Sequence, residues 1–145
     1  MSRRARTHTI TLYNYLSTAA GAAAYQRTVI ERVYLNTAYQ QSLNGRGVST
    51  TDKAMLIIDL RDIVTTDERT FLSFSDWQLL TAEAKAAFFT FSVANDFFIE
   101  GAADEELPPA TKQQMIQNHQ CFSVTWSGVR HAEAGQASIL GVTGK

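Results

Sequence analysis

The chain is poor in the residues that staple or interrupt a fold: one cysteine and two prolines in 145 residues. Cys121 cannot close an intramolecular disulfide, and a zinc site would need several further ligands, so the chain suits a reducing compartment. No apolar run approaches the roughly 20 residues that a bilayer-spanning helix requires. Neither sign of charge is in excess, since the formal net charge is −1, and this removes the global argument for a nucleic-acid binder, whose domain would be clearly basic. The opening MSRRARTHT is basic but has no apolar core of a signal peptide, which makes a protein built and used on the cytoplasmic side the expectation. No repeat of solenoid or propeller period occurs.

What is present is ordinary globular composition, 45% hydrophobic and 19% charged, not that of a disordered tail. A chain of this length forms one compact domain that buries roughly two-thirds of its unfolded surface without a staple. The expectation is a single domain over 1–145, with a basic flexible arm at 1–8.

Most of the periodicity is that of strands. In Thr9–Leu16, Ile10, Leu12 and Leu16 share one face, while threonines and tyrosines fill the other. Tyr25–Asn36 is rich in β-branched and aromatic residues, but its alternation is imperfect. Val29, Val33 and Leu35 face one way, Ile30 and Tyr34 the other, as in a strand covered on both faces or carrying a bulge. Residues 37–53 are polar and contain Asn44-Gly45 and Gly47, which reads as a long loop of the kind that is usually functional or disordered. Ala54–Leu60 is an apolar run of strand length, and Arg69–Phe74 a further short strand. Phe122, Val124 and Trp126 form one strand face, and Ser138, Leu140 and Val142 mark a last strand.

Two helices are indicated. Ser75-x-x-Gln78 is a capping box, followed by Trp77, Leu80, Ala84 and Ala87 at helical spacing, so a helix is expected over 75–87. A weaker one runs from Pro109 to about Asn118. Between them, Phe89, Phe91 and Val93, the turn pair Asn95-Asp96, and Phe97-Phe98-Ile99 read as a β-hairpin. The fold class is therefore mainly β (α+β): a small β-barrel or sandwich of about seven short strands with one helix across it.

No constellation for chemistry assembles. His119 and Cys121 would share a strand face, with His131 and Glu133 nearby, but a lone cysteine opening an apolar strand behaves as a small buried hydrophobe. Asp59, Asp62, Asp67 and Glu68 fit a charged loop bounding a buried strand better than an acid–base pair. Gly45-Arg46-Gly47 lacks the lysine and Ser/Thr of a phosphate loop. Phe88, Phe89, Phe91, Phe97 and Phe98 could stack bases, but their alternation points to core packing. Arg3, Arg4 and Arg6 could contact DNA phosphates electrostatically. No catalytic residue, metal ligand or cofactor is expected, and the chain reads as a non-enzyme.

The stretch Phe88-Phe89-Thr90-Phe91-Ser92-Val93-Ala94-Asn95-Asp96-Phe97-Phe98-Ile99-Glu100-Gly101 resembles the hairpin of small neck proteins in siphophages of Gram-positive bacteria. These are the head–tail connector, stopper, head-completion or minor capsid proteins. The opening Thr11-Leu12-Tyr13-Asn14 with Tyr25–Tyr34 is similar to their first two strands, Ser75-Asp76-Trp77 to their short helix, and Ser123–Trp126 with Ile139–Lys145 to their last strand pair. The chain departs from them at Asn95, where glycine is usual, and at Ser138-Ile139-Leu140, where a His-Trp pair is usual. The resemblance implies a homo-oligomeric ring between the portal or adaptor protein and the tail terminator or tail tube, closing the channel on packaged DNA. It implies a virion protein, assembled in the host cytoplasm, with no membrane partner. The long loop, with Leu43, Asn44, Gly45, Arg46, Gly47 and Val48 at its tip, is the expected channel loop. Rival expectations are a tail terminator, an adaptor (expected to be mainly helical), an OB-like nucleic-acid-binding module, or a small hydrolase.

Overall fold

The computed structural model describes residues 7–19, 22–44, 47–131 and 137–145. Nine strands, three short α-helices and one 3-10 turn (Thr66–Glu68) appear among them: β1 (His8–Ala19), β2 (Ala22–Asn44), β3 (Gly47–Asp59), β4 (Val64–Thr65), β5 (Thr70–Phe71), α1 (Phe74–Trp77), α2 (Ala82–Lys85), β6 (Phe88–Phe89), β7 (Phe97–Glu100), α3 (Lys112–Asn118), β8 (Cys121–His131) and β9 (Ala137–Gly144). Seven of the strands make one antiparallel sheet in the order β1-β7-β8-β9-β3-β2-β4. Because β1 also pairs with β2, six of them close on themselves as a barrel. The fold is thus mainly β, with a barrel at its centre.

Closure depends on bulges. In β2, the pairing with β1 slips between Glu31 and Val33, and Arg32 takes a left-handed φ of 66°. One extra residue reverses which side faces inward. Thr28 and Ile30 point into the barrel before the bulge, and Val33 and Leu35 after it, all at most 5% exposed. The irregular alternation therefore hides one inward face, and Ile30 belongs with Val33 and Leu35 instead of opposite them. The same strand changes partner at the bulge, from β1 up to Val33 to β3 from Tyr34 onward.

The interior is filled by Ile10, Leu12, Leu56, Ile58, Phe98, Phe122, Val124, Leu140 and Val142 from the barrel strands. Phe89 and Phe91, on the crossover between β3 and β7, complete it. That crossover plugs the barrel: Gln26 Nε2, on the inward side of β2, donates to the carbonyl oxygens of Lys85 and Phe88. The Arg69 guanidinium donates to the carbonyls of Ala86 and Arg27 and to Thr28 Oγ1.

Four expectations need correction. The segment 37–53 is not a loop: β2 and β3 pair from Tyr34↔Ile57 to Asn44↔Gly47, and only the tip residues Gly45 and Arg46 lie outside the described residues. Asn-Gly between two strand-forming runs is itself a hairpin signal. The helix over 75–87 is two single turns, because Ser73 caps the first by accepting from Asp76 N and Thr81 caps a second by accepting from Ala84 N. Residues 88–100 do not form a hairpin, since β6 pairs in parallel with β5 while β7 lies between β1 and β8. Of the arm expected at 1–8, His8 is already paired with Val33 in β1, and residues 1–6 lie outside the described residues. The weak helix before Asn118 is present as α3, opened by a capping box of Thr111 and Gln114.

Candidate functional site

The barrel has two apolar outer faces, and the chain covers only one of them. On the first, Tyr13 of β1, Phe97 and Ile99 of β7, and Tyr25 of β2 point away from the interior and are buried nonetheless. The strap from Gly101 to α3 lies over them and inserts Ala103, Leu107 and Met115. It is stitched down along its length. Thr11 Oγ1 donates to Gly101 O at 2.7 Å and accepts from Ala103 N at 2.9 Å. Arg27 Nη1 donates to Ala103 O, Tyr13 Oη to Glu105 O, and Tyr25 N to Leu107 O. At the far end His119 Nε2 meets Glu105 Oε2 at 2.6 Å.

The second outer face belongs to β8, β9 and β3. Here the register sets Met55, Thr143 and Trp126 in one row and Ile57, Gly141 and Gly128 in the next. Met55 is 48% exposed and Trp126 55%. The indole lies down across the neighbouring strand: a Cβ at Gly128 would stand 2.6 Å from Trp126 Cζ2, and one at Gly141 3.2 Å from Cζ3. Two glycines facing each other across the ladder make the shelf on which the ring rests. Met55, Trp126 and Ile139 border an open groove of about 310 Å³ over this shelf. The groove lining carries one hydroxyl side chain, Thr143, and no charged one.

Trp126 reaches this face through a second bulge. Val124 pairs with Gly144 but Trp126 with Thr143, so Thr125 is the extra residue. Phe122 and Val124 enter the core, whereas Trp126 turns outward, which corrects the single strand face expected for all three. Sequence reasoning missed Trp126 and Met55 as surface residues. The bulge has no local marker, although the Gly128 and Gly141 pair beneath an aromatic was a signal available in the chain.

Beside this face β2 and β3 run on as a two-stranded ribbon. Strand β9 pairs with β3 only from Ala54 to Asp59, and Gly47–Lys53 pairs with β2 alone among the described residues. Leu43, Asn44, Gly47 and Val48 lie at its end; Gly45 and Arg46, like Arg3, Arg4 and Arg6, lie outside the described residues.

Several polar side chains are engaged within the fold. Asp96 is 4% exposed; its carboxylate accepts from Tyr15 N, Ser92 N and Asn14 Nδ2 at 2.8–2.9 Å. Burial nonetheless outweighs these donors and lifts its pKa to about 6. Asn14 in turn donates to Thr90 O, and Val124 N donates to Asp96 O, so this one turn is pinned to β1 and β8 together. Burial pushes the Cys121 thiol up to about 11, which is far from a poised nucleophile. Asp59 pairs with Arg61, Asp62 with Arg32 and Asp67 with Arg69. Among the described residues no three His, Cys, Asp or Glu side chains come together as metal ligands, and no helix is long and apolar enough to cross a membrane. Phe89, Phe91, Phe97 and Phe98 are at most 3% exposed and are not available for base stacking.

No curated protein and no solved structure matches the chain. A family profile does, over residues 5–142, nearly the whole length. The chain belongs to the family of unknown function DUF6751.

Proposed function

We propose that this chain is a structural protein of the neck of a long-tailed bacteriophage, a non-enzyme that forms a homo-oligomeric ring between the portal or adaptor and the tail. The observation that carries the reading is the exposed apolar face of β8, β9 and β3, set beside a ribbon that outruns its neighbouring strands. A ring built by rotation needs a contact face of this kind on every copy. The ribbon is the element that would reach the channel and contact packaged DNA, and the same ring would dock the tail. Of the stretch 88–101 that carries the resemblance, the expected hairpin does not form, but the turn Ser92–Asp96 within it is a built feature, since its aspartate pins β1 and β8. A mainly β chain is also a poor fit to a neck adaptor, which is expected to be mainly helical. The reading needs no cofactor and places the protein in the virion, assembled in the host cytoplasm.

The test is quantitative mass spectrometry of purified particles, scaled to the portal protein. On the order of six to twelve copies per particle, one cyclic ring, is the expected result. Absence from particles would overturn the reading and return an OB-like nucleic-acid-binding module to consideration. A particle-borne chain lacking Leu43–Val48 should fold but give leaking or tailless particles; normal particles would remove the ribbon from the mechanism.

A further inference from the structure

Where the ribbon leaves the barrel, the register sets two lysines side by side on the outer face. Ala54 pairs with Gly144, and one step further along the same ladder Lys53 of β3 stands beside Lys145. Lys145 in turn exchanges two backbone hydrogen bonds of 3.0 Å with Ser123 of β8. Both lysines are exposed and share a side with Met55 and Thr143, since Ala54 and Gly144 between them are buried. Like charges opposite one another across a ladder destabilise a sheet. Among the described residues neither lysine has an acidic partner, so the pair is a cost to the isolated chain. Beside it lies a concavity of about 430 Å³ whose lining includes Lys53, Asn36, Thr125 and Thr143 and no carboxylate. Thr125 Oγ1 and Thr143 Oγ1 are 2.8 Å apart, so one hydroxyl donates to the other, whose own proton is left for a ligand. Asn36, across from Met55 on β2, adds an exposed amide. Lysine ammonium, hydroxyl and amide groups are the side chains that contact the sugar-phosphate backbone of DNA.

We infer that the root of the ribbon is a backbone contact for duplex DNA, with Lys53 and Lys145 as its cations and Thr125, Thr143 and Asn36 as its hydrogen-bond donors. The ribbon supplies the reason for a duplex. Gly47–Lys53 runs about 23 Å past the last pair of β3 with β9, and a two-stranded β-ribbon is one of the shapes that the major groove admits. A ribbon lying along the groove brings its root to the flanking phosphates. The formal net charge of −1 makes the contact of one copy local and weak, and several copies on one duplex strengthen it by effective concentration. The apolar rows further along the face, with Trp126 and Ile139, stay free for a neighbouring copy. The inference deepens the neck reading by assigning residues that touch packaged DNA, and it rests on that reading only for the presence of the DNA.

The experiment follows binding of the full chain to a short labelled duplex by fluorescence anisotropy, between about 50 and 200 mM salt. Lys53→Gln and Lys145→Gln should each weaken binding severalfold at the lower salt and flatten the plot of log affinity against log salt by about 1, with the circular dichroism spectrum unchanged. Lys85→Gln, which removes a lysine lying over the Trp77 ring, should change neither. No duplex binding by the native chain, or an unchanged slope in both variants, would overturn the inference. Displacement of the duplex by millimolar inorganic phosphate at constant ionic strength would overturn it in favour of a small anion. Tighter binding of a single strand, with quenching of Trp126 fluorescence, would overturn it in favour of base stacking on the indole. Failure here is separable from failure of the neck reading: a ring's worth of chain in particles with an unchanged slope removes only this contact. A flattened slope with no chain in particles removes only the neck.

Discussion

The two outer faces of the barrel are built from similar apolar material and meet different fates. On β1, β7 and β2 the tyrosines and phenylalanines are sealed by the strap from Gly101 to α3, which contributes Leu107 and Met115 and a row of hydrogen bonds. On β8, β9 and β3 no described segment brings such cover, and Trp126 lies back on two glycines and shields only part of the surface. Burial of apolar area stabilises by about 25 cal/mol per Å². The first face therefore contributes to the stability of the isolated chain, whereas the second leaves about half of Met55 and Trp126 in water.

The sharpest break of this comparison is a matched truncation. Met115→Ala, at a site with no exposure, should cost about 4 kcal/mol, the range for a buried methionine. Met55→Ala, at 48% exposure, should cost the isolated chain less than about 1 kcal/mol. Urea unfolding midpoints of the two variants read this directly, and equal losses would abolish the distinction between the faces.

A second difference is in pH response, because a deeply buried carboxyl, Asp96, is held against Asn14 and Tyr15 in the middle of β1 and the groove has none. Asp96 has a folded pKa of about 6 against an ordinary 3.8, so folding takes up a proton between those values. Its contribution is fully present below about pH 4 and is lost as pH rises through about 6, a fall of about 3 kcal/mol. Asp96→Asn, which does not titrate, should remove that fall from melting curves collected between about pH 4 and 8. An unchanged difference curve would assign the slope to another group.

The smallest effect belongs to the shelf. Gly128→Ala places a methyl where the indole rests, and the exposed ring can swing out to make room. Stability should change by less than about 1 kcal/mol, while the fluorescence of Trp126 shifts to the red. A large loss of stability would mean that the indole is part of the fold and not of its surface.

Much of the covered side was legible in the chain. Ile10 and Leu12 alternate with Thr11 and Tyr13, and Phe97-Phe98-Ile99 is an unbroken apolar run, the mark of a strand buried on both faces. A helix was expected from Pro109 to about Asn118, and α3 occupies the later part of that span. The facing of two strands was hidden by parity: bulges at Arg32 in β2 and Thr125 in β8 each flip the strand, so counting by twos from Ile30 or Val124 misplaces every residue beyond. The Asn44-Gly45 pair carried the ribbon in plain view, but the polar sequence around it read as loop.

The sequence by itself determined that this is a mainly β chain with a filled apolar interior and with Cys121 behaving as a hydrophobe, because local alternation and composition are properties of neighbouring residues. Only the tertiary structure decided that the sheet closes as a barrel, that the aspartate of the Asn95-Asp96 turn pins two distant strands, and that Trp126 and Met55 stand outside on a shared face. Those facts depend on register between segments far apart in the chain. One inserted residue in a strand changes that register without leaving a mark in the local pattern.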